Sequence, residues 1–333
     1  MMQAAVAEAS GRPLVVKDVA VPEIGPREVL LKVEASGICY TDIRVIDAIG
    51  AAVMPLIPGH EPVGVVAAVG TEVTNLTPGD RIGAHALFSC GDCAYCRIGE
   101  EEACVTGVTR LAGIGLDGGY AEYMCLPAEH AIRLPDGMAF VDAAPMFCAG
   151  LTTYAALKNG NLQPGQRVVV VGIGGLGHLA ISLAKAMGAT VYAVTGSPDK
   201  AGIARGRGAT VVGDADVVLA ALAEAGGAHL VLNTANTLDP VGALVPGIAK
   251  QGAIVLTSAD SDVLPVPPAM IMGRQLRVIG SFFGSRQDLR ELLDLAQRER
   301  IRPMIETYPL TEVNAAHARL RANQVRYRAV LTL

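Results

Sequence analysis

Residues Arg167 to Ala189 read RVVVVGIGGLGHLAISLAKAMGA, and the rest of the chain is understood from them. Four consecutive valines, Val168 to Val171, suit a parallel strand buried on both faces. Gly172-Ile173-Gly174-Gly175-Leu176-Gly177 follows, with glycines at the first, third and sixth positions. Leu179, Leu183 and Met187 then recur at helical spacing, Gly188 closes the segment, and Val191 to Val194 reads as a second strand. In this strand–loop–helix–strand context the first glycine permits a tight turn, the second lets backbone approach a pyrophosphate, and the third lets helix and strand pack closely. The free N–H groups at the helix N-terminus then face the phosphates. The alternative is a plain buried glycine turn, in a chain with 38 glycines. A membrane span is excluded here, because four glycines, His178 and Lys185 interrupt the apolar run and about 20 continuous apolar residues are needed.

The 333-residue chain is long enough for two domains. It is 51% hydrophobic but 4% aromatic and lacks tryptophan, so Val, Ala, Leu and Ile must build its core. A net charge of −5 with scattered basic residues argues against a nucleic-acid partner. The N-terminal MMQAAVAEASGRPLVV has no basic region followed by a long apolar stretch, so no secretory signal or membrane anchor is expected and a cytoplasmic protein is. Seven cysteines in such a protein point to metal or redox chemistry rather than to a disulfide framework.

Short apolar runs broken by Pro and Gly fill the first 36 residues and read as short strands joined by turns. Two motifs follow, Gly37-Ile38-Cys39-Tyr40-Thr41-Asp42 and Pro58-Gly59-His60-Glu61-Pro62, and then Cys90, Cys93, Cys96 and Cys104. Four thiolates at this density suit a closed tetrahedral zinc site. An iron–sulfur cluster is the rival, but the bacterial ferredoxin run needs a closer fourth cysteine with proline after it, and here Val105 follows. Unbridged structural cysteines are the plainer alternative. Glu100, Glu101 and Glu102 inside the loop read as a solvated face. Beyond the glycine loop, helix-like segments (199–207, 216–225, 239–250) alternate with apolar strands (211–212, 230–232, 253–256, 278–279), the mark of a parallel sheet. Asp288 to Arg298 reads as an amphipathic helix.

GICYTD at 37–42, PGHE at 58–61, Gly79-Asp80-Arg81, the cysteine lobe at 90–104 and MFCAG at 146–150 stand in that order before and up to the glycine loop. With them the chain resembles the zinc-dependent medium-chain dehydrogenase/reductase superfamily, alcohol dehydrogenase type. The resemblance implies an α/β Rossmann domain, a doubly wound parallel sheet, inserted in a mostly-β GroES-like catalytic domain. It places the catalytic domain at 1–145, with the zinc lobe at 88–105, the Rossmann domain at 146–283, and the returning catalytic part at 284–333. It implies two zinc ions per chain: a catalytic one on Cys39, His60 and Cys148, with Glu61 as a transient ligand, and a structural one on Cys90, Cys93, Cys96 and Cys104. Two thiolates, an imidazole and an open position form a catalytic zinc set. Singly, each of these residues also suits packing, since buried free cysteine is common.

Zinc would act as a Lewis acid on the oxygen of a small alcohol, aldehyde or ketone, and hydride would pass to or from a nicotinamide. By the same resemblance Thr41 bonds the substrate oxygen and starts the proton relay, and Asp42 orients His60. Many relatives end the relay with a histidine where this chain has Arg44, and a guanidinium does not release its proton. Thr152 would lie beside the nicotinamide. Arg328 would reach either the cofactor phosphates or Glu61, and Arg286 is a weaker phosphate candidate. Tyr40, Ile49, Met54, His85 and Met270 are candidates for the pocket wall. His130, His229 and His317 read as structural or surface residues, His178 as a packing or capping residue, and Cys125 has no role. A homodimer or homotetramer is implied.

The cofactor preference turns on the end of the second strand. NAD-binding Rossmann domains carry there an acid that bonds the ribose 2′-hydroxyl. Here Thr195-Gly196-Ser197 follows Val194, with Lys200 and Arg205 nearby, a set that does not repel a 2′-phosphate. NADP(H) is therefore expected over NAD(H), as in relatives similar to cinnamyl alcohol dehydrogenase, with NAD(H) as the alternative. Gly172, Gly174, Gly175, Leu176 and Gly177 would hold the pyrophosphate. A zinc-free quinone or enone reductase of the same superfamily, and a zinc- and nucleotide-binding protein without turnover, are the competing functions.

Overall fold

A computed structural model describes residues 1–47, 53–258 and 262–333. In chain order its strands are β1 (Met2–Val6), β2 (Val15–Val19), β3 (Glu28–Ile38), β4 (Pro62–Val69), β5 (Arg81–Ala84), β6 (Tyr123–Pro127), β7 (Ala131–Arg133), β8 (Arg167–Val171), β9 (Thr190–Val194), β10 (Ala209–Gly213), β11 (Ala228–Asn233), β12 (Ile248–Leu256), β13 (Arg277–Gly280), β14 (Ile305–Pro309) and β15 (Arg328–Thr332). They fall into two compact units. One comprises residues 1–148, 285–297 and 302–333, the other 149–284 and 298–301.

The first unit is mostly β. A sheet of order β14-β15-β3-β4-β5-β7, with β6 also on β3, is antiparallel except for the parallel pair β14–β15. β3 is its centre: Leu31, Val33, Ala35 and Ile38 are buried, and period-2 alternation marks the stretch that begins Glu28-Val29-Leu30. The last strand of the chain, β15, lies against β3 with Ala329 opposite Ile38. The ends of β15, β3 and β4 therefore converge, and they carry Arg328, Cys39 and Glu61.

The second unit holds an all-parallel six-stranded sheet of order β10-β9-β8-β11-β12-β13, which is 3-2-1-4-5-6 within the unit. Val168, Val169, Val170 and Val171 are buried, as a central parallel strand requires. The turn after β8 needs its glycines. Gly172 lies at φ +85°, and a Cβ on Gly177 would stand 1.9 Å from the Gly172 carbonyl oxygen. A helix, Gly177–Ala186, follows.

One helix is shorter than the periodicity predicts. It covers Asp239–Leu244 rather than 239–250. Pro246 has no N–H to continue it, and the chain passes through a 3-10 turn into β12, which begins at Ile248 rather than at residue 253. Among the described residues no single helix is long and apolar enough to cross a membrane.

Candidate active site

Asp42 is the organising residue of the first unit's buried polar cluster. It sits in the first turn of the helix Tyr40–Ile46 and is fully buried. Its Oδ2 accepts hydrogen bonds from the Cys39 N–H (2.8 Å) and the Tyr120 hydroxyl (2.9 Å), and its Oδ1 accepts from His60 Nδ1 (2.8 Å). A carboxylate bound to Nδ1 leaves Nε2 as the free ligand atom. That nitrogen lies 3.3 Å from Cys148 Sγ, which is 3.9 Å from Cys39 Sγ. One ligand atom each from Cys39, His60, Glu61 and Cys148 lies within 4.8 Å of the others.

The titratable groups of this cluster shift one another strongly. The hydrogen bond from Cys148, with His60 and Arg328 nearby, holds the Cys39 thiol well below its ordinary range, and the same bond, with burial, pushes Cys148 up. Burial alone would lower His60, yet the Asp42 charge and hydrogen bond raise it well above its ordinary value. A divalent ion bound here would displace the thiol protons. Glu61 is fully buried and its carboxyl is raised by burial. Its Oε1 accepts a hydrogen bond from Arg328 Nη2 and lies 4.0 Å from His60 Nε2, and its Oε2 has no hydrogen-bond partner. That oxygen rests on Gly37, where an added Cβ would stand 1.9 Å from it.

The loop that carries His60 is built against residues 117–120. Asp117 Oδ1 accepts from Ile57 N–H (2.8 Å), and the N–H groups of Gly118, Gly119 and Tyr120 donate to the carbonyls of Ile57, Gly59 and Pro58 at 2.7, 2.8 and 3.0 Å. Gly59 lies at φ +99°, and a Cβ there would come within 2.3 Å of the Tyr120 ring. Burial and the Asp42 charge push the Tyr120 hydroxyl well above its ordinary range, so it remains a donor. Sequence reasoning missed Tyr120. Its available signal was the Asp117-Gly118-Gly119 turn before it.

The second cluster, Cys90, Cys93, Cys96 and Cys104, also has its four sulfurs within 4.8 Å of one another. Cys90 N–H donates to Cys104 Sγ (3.2 Å) and Cys93 N–H to Cys90 Sγ (3.4 Å), bonds that stabilise thiolates. Although burial opposes it, hydrogen bonds from Thr106 and Cys90 hold Cys104 at about 6, whereas burial drives Cys96 up to about 12. The four sulfurs could together hold one cation. All seven cysteines are unbridged.

Several expectations need correction. Glu101 is not part of a solvated face: Arg286 grips both its oxygens (Nη2–Oε1 2.6 Å, Nε–Oε2 2.9 Å), because a half-buried carboxylate requires a cation. The same contacts, with Nη1 donating to the Glu129 carbonyl (2.9 Å), commit Arg286 to the cysteine lobe rather than to a phosphate. Met54 packs, partly buried, against the core of the first unit, and Met270 against that of the second. His85 is fully buried and its Nδ1 lies 3.2 Å from the Leu87 carbonyl. Ile49 lies outside the described residues. Of the two destinations considered for Arg328, the structure shows Glu61: its guanidinium is buried on that carboxylate.

In the second unit Gly172, Gly174, Gly175, Leu176 and Gly177 form the turn between β8 and its helix, and a Cβ on Gly174 would meet no protein atom within 4 Å. His178 Nδ1–H donates to the Gly174 carbonyl (3.0 Å), a local capping contact. Thr152 is buried in the helix Ala149–Asn159. Thr195, Gly196 and Ser197 join β9 to the helix Pro198–Gly206, with Ser197 N–H donating to Thr195 Oγ1 (3.2 Å) and Lys200 in that helix.

Two family models match the chain, "Alcohol dehydrogenase GroES-like domain" over residues 25–136 and "Zinc-binding dehydrogenase" over residues 175–298. An alcohol dehydrogenase of Geobacillus stearothermophilus is 39% identical over 336 residues, covering 99% of each chain. An NADP-dependent alcohol dehydrogenase C of Mycolicibacterium smegmatis is 34% identical, covering 98% of this chain and 96% of its own. Among solved structures, a cinnamyl alcohol dehydrogenase of Sorghum bicolor superposes with a TM-score of 0.88 at 33% identity, covering 99% of this chain and 97% of its own.

Proposed function

The chain belongs to the zinc-dependent medium-chain dehydrogenase/reductase family of the alcohol dehydrogenase type, and from that premise we propose that it interconverts small apolar or aromatic alcohols and their aldehydes or ketones with NADP(H). The family supplies the coarse activity, an oxidoreductase acting on alcohols with zinc and a nicotinamide cofactor. The observation that supports a catalytic zinc is the buried cluster of Cys39, His60 and Glu61, at the ends of β3 and β4, with Cys148 just before the helix Ala149–Asn159.

In this reading Cys39, His60 and Cys148 hold the catalytic zinc, Glu61 stands by as its transient ligand, and Cys90, Cys93, Cys96 and Cys104 hold the structural one. When bound, the catalytic zinc acts as a Lewis acid on the alcohol oxygen and the nicotinamide takes up hydride. The protein's own work is positional. Asp42 holds the His60 imidazole in one tautomer. Thr41, whose Oγ1 is 3.5 Å from Cys39 Sγ, orients the substrate hydroxyl and relays its proton, giving up its own hydroxyl hydrogen as it receives the substrate's. Arg44 lies over the Tyr40 ring, 5.8 Å from its centroid, and cannot act as a base, so the proton passes from Thr41 to solvent. Gly172 to Gly177 and the helix N-terminus cradle the pyrophosphate, and Thr152 lies beside the nicotinamide.

Thr195, Gly196, Ser197 and Lys200 accept the adenosine end. No carboxylate ends β9, and this supports NADP(H), with NAD(H) the alternative. Seven unbridged cysteines support a reducing, cytoplasmic compartment, and the family supports a homodimer or homotetramer.

Metal analysis of the purified chain, with NADPH and NADH titrations followed by nicotinamide fluorescence, tests this reading. Two zinc ions per chain, tighter NADPH than NADH, and zinc-dependent oxidation of aromatic alcohols are expected. A zinc-loaded protein that binds neither cofactor overturns it.

A further inference from the structure

His60 is approached from two sides by one residue that the reaction does not use. The Tyr120 ring fills the space under Gly59, the residue before the imidazole, so closely that no side chain fits there. The Tyr120 N–H bonds the Pro58 carbonyl. Its hydroxyl bonds Asp42 Oδ2, 2.9 Å away, on the carboxylate whose other oxygen receives His60 Nδ1. The side chain is fully buried, and the His317 ring lies against it with centroids 5.9 Å apart.

Both donors other than His60 meet the same oxygen of Asp42, Oδ2. The Cys39 N–H holds Oδ2 from one direction, and χ2 of an aspartate is a soft torsion, so one donor limits the carboxylate plane without fixing it. A second donor from a different direction locks the plane. We propose that Tyr120 is a positioning residue for the catalytic metal: its ring sets the height of the His60 loop, and its hydroxyl sets the plane of Asp42, so that Nε2 is aimed at the metal before the metal arrives. This rests on the zinc reading of Cys39, His60 and Cys148. Thr41 orients the substrate, and Tyr120 acts only through Asp42 and His60, so it governs retention of the metal and the geometry around it.

The test is Tyr120→Phe, which keeps the ring and removes the hydroxyl. Loss of a group outside a metal's own ligands commonly weakens metal affinity by about 10–100-fold, and for a hydroxyl one bond further out about 10-fold is expected. Release of zinc to a colorimetric chelator is followed in the wild type and the variant, with the cysteine lobe as internal control. The slow release from Cys90–Cys104 must stay unchanged while the other zinc leaves about 10-fold faster. A merely structural role moves both releases together, with the melting temperature. Cobalt in the catalytic site adds a spectroscopic readout, since its visible bands shift if the imidazole is re-aimed. Equal release rates and identical cobalt bands in the two proteins overturn the proposal.

If wild-type protein binds only one zinc, the zinc reading itself has failed, which is a different outcome. Independently of how the variant folds, 3-fluorotyrosine placed at position 120 gives a fluorine resonance that must shift when the catalytic site is filled. A resonance indifferent to that metal also overturns the proposal.

Discussion

Replacing Arg328 by methionine removes a cation that the fold has sealed in with its anion. Arg328 is 5% exposed and Glu61 is 0% exposed. Glu61 Oε1 accepts from Arg328, while Oε2 has no hydrogen-bond partner, so the carboxylate leans on a single group. Removing one member of a buried pair costs about 3–5 kcal/mol, most of it the charge left behind. In a unit of 150–250 residues each kcal/mol lowers the melting temperature by about 2–4 °C, so a fall on the order of 10 °C is expected.

Adding Glu61→Gln removes the stranded charge and should return about half of that loss or more, the remainder being an unsatisfied amide. Thermal melts of the wild type, both single variants and the double variant measure the coupling. Each is run metal-loaded and chelator-stripped, and the loaded form should be the less sensitive, because the carboxylate then has a second cation within reach of Oε1. Additive single effects would refute the argument, and so would a larger loss in the loaded protein.

Two other perturbations are informative. Arg286→Gln should cost about 1–3 kcal/mol at neutral pH, since it removes charge-assisted bonds from a part-buried carboxylate. Although burial raises it, Arg286 holds the Glu101 carboxyl below its ordinary value of 4.5. The unfolded state therefore binds protons first, and the pair's contribution is present above about 4.5 and lost as pH falls through the lowered value. The gap between wild-type and variant urea midpoints should accordingly close in acid, and a gap that widens there contradicts the assignment. Thr195→Asp places a carboxylate at the end of β9 and should weaken NADPH at least tenfold while sparing NADH; equal losses by fluorescence titration would remove residue 195 from the adenosine site.

What could be read without coordinates was local. Four valines, a glycine turn and a helical stripe describe one strand–turn–helix unit, and β8, β9 and the helix Gly177–Ala186 lie where that reading puts them. Spacing within 15 residues likewise made the cysteine lobe visible. The other cluster draws on residues 39, 60 and 148, and no periodicity links positions so far apart; only resemblance proposed them, and the pairing of β3 with β4 brings the first two together while Cys148 arrives from the turn before the helix Ala149–Asn159. Tyr120 escaped notice because its partner Asp42 is 78 positions away. Glu101 was misread because a run of three glutamates resembles a solvated face until Arg286, 185 positions on, supplies the counter-ion. The helix 239–250 was overextended because apolar residues continue through Val245 and Ile248, past a proline that halts it.

The strand order also dictates a sequence of events during synthesis. All four sulfurs of the cysteine lobe exist once residue 104 has been made, and a short loop closes at small entropic cost. The buried cluster needs Cys148, and the cation that neutralises Glu61 arrives only with Arg328, 180 positions later still. A nascent chain lacking β15 therefore has a complete lobe but an open edge on β3 and a carboxylate without its guanidinium. Pairing of β15 with β3 and the Arg328 contact on Glu61 thus come later in synthesis than the cysteine lobe, and deleting residues 324–333 would leave the four cysteines in place while removing both.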